Sequence, residues 1–103
     1  MKATITKIDG RTTVVINGRL DTVNAKAFEE QIQPILQDTN PDVIIDCTSL
    51  QYISSNGLRL FITLLKHAKS TGGVIEVCNL SPEVKEVFDM TGFSAIFNIQ
   101  PTS

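Results

Sequence analysis

Ile44-Ile45-Asp46-Cys47-Thr48-Ser49-Leu50-Gln51-Tyr52-Ile53-Ser54-Ser55-Asn56-Gly57-Leu58 joins a strand-like apolar run to an almost wholly apolar helix. The joint is a short polar turn that presents two adjacent serines and an Asn-Gly. Hydroxyls at a helix N-terminus sit beside unpaired backbone N–H groups and the positive end of the helix dipole. Such a place suits a phosphate. A strand feeding a helix through such a turn is also the signature of an α/β fold, so this stretch decides both architecture and site.

Upstream of it, Val43-Ile44-Ile45 reads as a central strand covered on both faces. Downstream, Leu58, Phe61, Ile62, Leu65 and Ala68 lie on one helical face and Leu60 and Leu64 on another, so this helix should be mostly buried. Gly72-Gly73 stop it, and Val74 to Val77 form the next strand. Ser81-Pro82 open a last helix, as N-cap and first helical position, with Val84, Val87 and Phe88 on its inner stripe and Gly92 at its end. Phe93, Ile96, Phe97 and Ile99 suggest a final short strand.

Toward the N-terminus, Thr4 to Ile8 and Thr12 to Ile16 are β-branched runs around Asp9-Gly10, a strong hairpin signal. Asn17-Gly18 is read as ending the second strand. A polar connection, Arg19 to Asn24, then leads to a helix capped at Asn24, with Ala25, Phe28, Ile32, Ile35 and Leu36 as its apolar stripe. Pro34 falls inside that stripe and predicts a kink or tightening. The order β-β-α-β-α-β-α-β implies an α/β single domain over residues 1–103: a mixed β-sheet, with an N-terminal hairpin and parallel central strands, packed with three main helices.

The chain has 103 residues, 42% of them hydrophobic, and a net charge of −2. That charge leaves no basic footprint for nucleic acid or an anionic membrane. No signal-peptide h-region is present and the apolar run Leu58 to Leu65 is too short to insert in a bilayer, so a cytoplasmic location is expected. Cys47 and Cys78 read as buried free thiols, and two cysteines with one histidine make no metal site.

Enzymatic readings are weak. Asp21 and Asp46 could both lie near the serine turn, but no nucleophile, base and orienting group accompany them. His67 lies in mid-helix without an obvious partner. One serine of the turn can serve simply as a helix cap, and Gly57 leaves room for another protein to approach the backbone.

Four segments resemble those of the STAS domains of bacterial anti-sigma factor antagonists. Ile16-Asn17-Gly18-Arg19-Leu20-Asp21-Thr22 resembles the family's Gly-x-Leu-Asp element, and Val43 to Ile53 its central strand and loop. Ser54-Ser55-Asn56-Gly57-Leu58 occupies the place of its Asp-Ser-Ser-Gly-Leu switch, and Ser81 to Phe93 resembles its C-terminal helix. The resemblance implies a non-enzymatic protein, without cofactors, that binds an anti-sigma factor, usually a serine kinase, and so frees a sigma factor for transcription. The kinase phosphorylates the antagonist, which lets go, and a phosphatase resets it. The phosphorylated serine falls on Ser55, with Ser54 as a second acceptor in the place of the family's aspartate. Asp21, Thr22, Ser54, Ser55, Asn56, Gly57 and Leu58 are the implied partner-binding residues. An alternative on the same fold is a constitutive STAS interaction module serving a transporter ATPase or a signalling complex.

Overall fold

A computed structural model describes residues 1–100. Strand β1 (Lys2–Ile8) turns at Asp9-Gly10 into β2 (Arg11–Leu20), pairing antiparallel from Lys2↔Asn17 to Ile8↔Arg11. Asp9 and Gly10 both have positive φ, 51° and 82°, the geometry of a tight two-residue hairpin. Helix α1 (Thr22–Gln31) and the single turn α2 (Gln33–Leu36) follow, divided at the irregularity expected from Pro34. Then come β3 (Asp42–Asp46), β4 (Leu50–Ile53), α3 (Ser55–Thr71), β5 (Val74–Cys78), α4 (Pro82–Thr91), α5 (Phe93–Ile96) and β6 (Asn98–Gln100).

The sheet runs β1-β2-β3-β5-β6, with β4 paired to β2 beyond β3. All pairs other than the hairpin are parallel. The expected mixed α/β sheet is therefore present, and three main helices, α1, α3 and α4, pack on it. One ring from each of these helices meets Phe97, which follows α5, in a single cluster: Phe61 lies 6.3 Å from Phe28, 5.9 Å from Phe88 and 6.3 Å from Phe97 between centroids. Alternate strand residues face this core: Val14 and Ile16 of β2, Val43 and Ile45 of β3, Ile75 and Val77 of β5.

The structure corrects five details of the sequence reading. Ile44 is only half-buried, so β3 is covered on one face rather than two. The strand order explains this: each parallel crossover steps the same way across the sheet, and crossovers of one hand then stack every helix on one side. Strand β2 does not end at Asn17-Gly18 but continues to Leu20. Gly18, at φ +100°, absorbs a register shift against β4 instead of making a turn. Helix α1 is capped by Asp21, not Asn24, because the Asp21 carboxylate accepts the Asn24 amide at 2.9 Å. Residues Leu50–Ile53, expected in the loop after the central strand, form β4. Phe93–Ile96 are helical, and the last strand starts only at Asn98.

Candidate functional site

The serine turn lies where β2 and β4 end side by side. Leu20 pairs with Ile53 in parallel register, and the Ser54 amide donates to the Leu20 carbonyl at 2.8 Å. The next residue on each strand caps a helix: Asp21 starts α1 and Ser54 starts α3. Two helix N-termini thus leave adjacent strand ends. Asn24 folds back to donate its side-chain amide to the Arg19 carbonyl at 2.9 Å, which fixes the entry of α1.

The two serines differ in environment. Ser54 is 8% exposed, and its Oγ accepts the Gly57 amide at 3.2 Å. Its hydroxyl holds the helix start and faces inward. Ser55 is the first residue of α3 and is exposed. Gly57 is buried, and its missing side chain serves this chain's own packing rather than an incoming protein. A Cβ there would lie 2.8 Å from Leu20 Cγ and 2.9 Å from Ile53 Cγ1. Glycine lets α3 sit directly on the ends of β2 and β4.

The expected partner-binding residues therefore divide. Thr22 and Ser55 are exposed, Asp21 and Asn56 are half-buried, and Ser54, Gly57 and Leu58 are buried. Three exposed features near the same strand ends and helix starts escaped the sequence reading. Val23, 85% exposed, stands on the first turn of α1. Arg59, one turn along α3 from Ser55, lies 3.8 Å from Glu29 of α1. Arg19 stacks its guanidinium 4.3 Å from the centroid of the Tyr52 ring. Val23 carried a readable signal, since it lies off the Ala25-Phe28-Ile32 stripe. The Arg19–Tyr52 stack needs β4 to be recognised as a strand first.

The other candidate chemical groups are structural. Asp46 pairs with Val15 on β2, six residues before Asp21, which separates the two carboxylates by about 20 Å along the strand. The Asp46 carboxylate instead accepts the Thr48 hydroxyl at 2.6 Å, the Thr48 amide at 3.0 Å and the Asn79 side-chain amide at 3.2 Å. Partial burial raises its pKa, but these donors to the charged form outweigh burial and hold it below its ordinary value. His67 Nε2 donates to the Asp38 carbonyl at 2.7 Å, tying α3 to the loop after α2 about 18 Å along the helix from Ser55. Cys47 is buried and free, and burial pushes its thiol far above the ordinary range; Cys78 is free and half-buried, its thiol also raised by burial. Among the described residues no three His, Cys, Asp or Glu side chains gather as metal ligands, and no helix is long and apolar enough to cross a membrane.

The STAS domain family matches residues 2–103. A Bordetella bronchiseptica protein described as an anti-sigma factor antagonist, BtrV, is 34% identical over 96% of this chain and 85% of its own. The Bacillus subtilis anti-sigma-B factor antagonist is 32% identical over 87% of this chain and 82% of its own. Among solved structures, an anti-sigma-factor antagonist (STAS) domain protein of Planctomyces limnophilus superposes with a TM-score of 0.88 at 19% identity, covering 98% of this chain and 90% of that one. The Bacillus cell fate determinant SpoIIAA in its phosphorylated form does so with a TM-score of 0.76 at 16% identity, covering 99% and 92%. A chain-long family match, together with relatives above 30% identity across most of their length, places this chain in the STAS family, among the anti-sigma factor antagonists.

Proposed function

We propose that this chain binds an anti-sigma factor with serine kinase activity through the surface formed by the Ser55 turn, the start of α1 and the Asp21 loop. Transfer of the ATP γ-phosphoryl group to Ser55 Oγ, with loss of the hydroxyl proton and departure of ADP, releases the partner; a phosphatase restores the serine. The chain is a regulatory binding protein and supplies only the acceptor hydroxyl.

The observation that carries the choice of Ser55 is the unequal exposure of the two serines. Ser54 is buried and already caps α3, whereas Ser55 faces solvent one position later. Phosphorylating Ser54 would require the helix start to open. A phosphate on Ser55 adds about −1.5 to −2 charge at the positive end of a 17-residue helix, where the domain itself tolerates it. A partner surface fitted to a neutral hydroxyl does not. The fold then needs no rearrangement for the switch to work.

The test uses the chain with phosphoserine installed at 55 and its cognate anti-sigma factor. The phosphorylated chain is expected to bind at least about tenfold more weakly than the unmodified one, as like charges brought together at an interface do. Ser55→Ala is expected to bind and to accept no phosphate in a kinase assay read by mass spectrometry. Phosphate mapped only to Ser54 would overturn the assignment, and undiminished binding of the phosphorylated chain would leave a constitutive interaction module instead.

A further inference from the structure

Arg59 lies four residues after Ser55 on α3, so the two side chains share a face one turn apart, about 6 Å along the helix axis. In the unphosphorylated chain its only ion-pair partner among the described residues is Glu29 of α1, at 3.8 Å. That separation exceeds hydrogen-bond length, and both side chains are about half exposed, at 58% and 46%. Such a pair contributes little. Arg59 is therefore a weakly committed cation held beside the residue that the proposed function assigns as phosphate acceptor.

A phosphate on Ser55 would compete for it on better terms. It carries up to twice the charge of a carboxylate and offers three strong acceptor oxygens. Guanidinium forks match phosphate in paired, charge-assisted hydrogen bonds. An acid placed N-terminal to a base at this spacing is the favourable orientation on a helix. We infer that phosphorylation of Ser55 makes Arg59 exchange partners, leaving Glu29 for the phosphate. The inference rests on Ser55 being the acceptor. Its consequence is that one modification changes the surface on two helices. The phosphate is held along α3, and the Glu29 carboxylate on α1 is left without its cation. A partner spanning both helices meets new negative charge at each, with no movement of the backbone.

Two other cations stand on neighbouring segments, Arg19 over the Tyr52 ring and the exposed Lys26 on α1. They serve as controls. The experiment is a phosphorus-31 NMR pH titration of the phosphoserine-55 chain and of its Arg59→Gln, Arg19→Gln and Lys26→Gln variants, all without partner. A nearby cation lowers the second ionisation of the phosphate. The Arg59→Gln phosphate is expected to titrate about 0.3 pH higher than wild type, the size that an exposed one-turn pair supports. The two controls are expected to match wild type. An Arg59→Gln titration equal to wild type would overturn the exchange, as would a rise confined to Arg19→Gln or Lys26→Gln. Because no partner is present, this result is read separately from the binding assay. A phosphorylated chain that still binds fully would defeat the proposed function while the titration stands.

Discussion

At Gly57 an added methyl group has no free space. Its nearest neighbours would be Leu20 Cγ at 2.8 Å, the branch point of that side chain, and Ile53 Cγ1 at 2.9 Å, an inner methylene; both belong to buried side chains and neither is a flexible end. Two effects oppose one another in Gly57→Ala. Alanine is favoured over glycine in a helix interior by about 1 kcal/mol. Overpacking a tight contact costs about 1–3 kcal/mol, because either α3 lifts or Leu20 and Ile53 leave their rotamers. The contact distances decide for the second. Gly57→Ala is expected to lower unfolding free energy by about 1–2 kcal/mol in urea titrations, and a variant as stable as wild type would show that α3 is not seated this closely. This glycine therefore acts on any partner only through the position of the helix that carries Ser55.

Among the elements, the end of β3 is clipped to its neighbours by Asp46, which accepts from Thr48 in the following loop and from Asn79 just after β5. The carboxylate is held below its ordinary pKa, so the charged form is favoured by folding. Stability from this group is therefore fully present above the pKa of the unfolded chain and is lost as pH falls through the lower folded value. Asp46→Asn, which keeps an acceptor oxygen but no charge, is expected to cost about 1 kcal/mol at pH 7. It should also flatten the loss of thermal stability as the pH falls below about 4, the ordinary carboxylate value. Parallel melting curves for wild type and variant over that range would disprove the ionic role. The elements themselves were unevenly legible. Asp9-Gly10, the apolar periodicity of α3 and Ser81-Pro82 are local signals that tertiary structure leaves intact. Strand β4 was hidden because its buried residues, Leu50 and Ile53, are three apart and break the period of two. The overrun of β2 was hidden because Asn17-Gly18, ordinarily a turn signal, lies in a bulge whose existence depends on β4. The assignment of the helix cap to Asn24 instead of Asp21 followed from ending β2 too early. At the site, the sequence located the serine turn and put Leu58 on the buried face of α3, but which serine turns inward, and the burial of Gly57, depend on where α3 meets the sheet.

For the molecule as a whole, the monotonic strand order leaves one sheet face beneath the helices and the other open. Ile44 and Ile45 are adjacent on β3, identical in type, and indistinguishable by local pattern. Ile45 is fully buried against the helices, while Ile44 lies on the open face between Thr13 and Glu76 of the flanking strands. Replacing either by alanine removes the same atoms and the same intrinsic strand preference, so the difference between the two variants isolates burial. Ile45→Ala is expected to cost about 3–4 kcal/mol, as deletions from a closed core do, and Ile44→Ala about 1 kcal/mol. The measurement is a pair of chemical denaturation curves at equal protein concentration. Equal losses would mean that both faces of β3 are covered in solution. The one-layer arrangement argued from strand order would then be incomplete, because a second layer would have to come from another molecule packed on the open face.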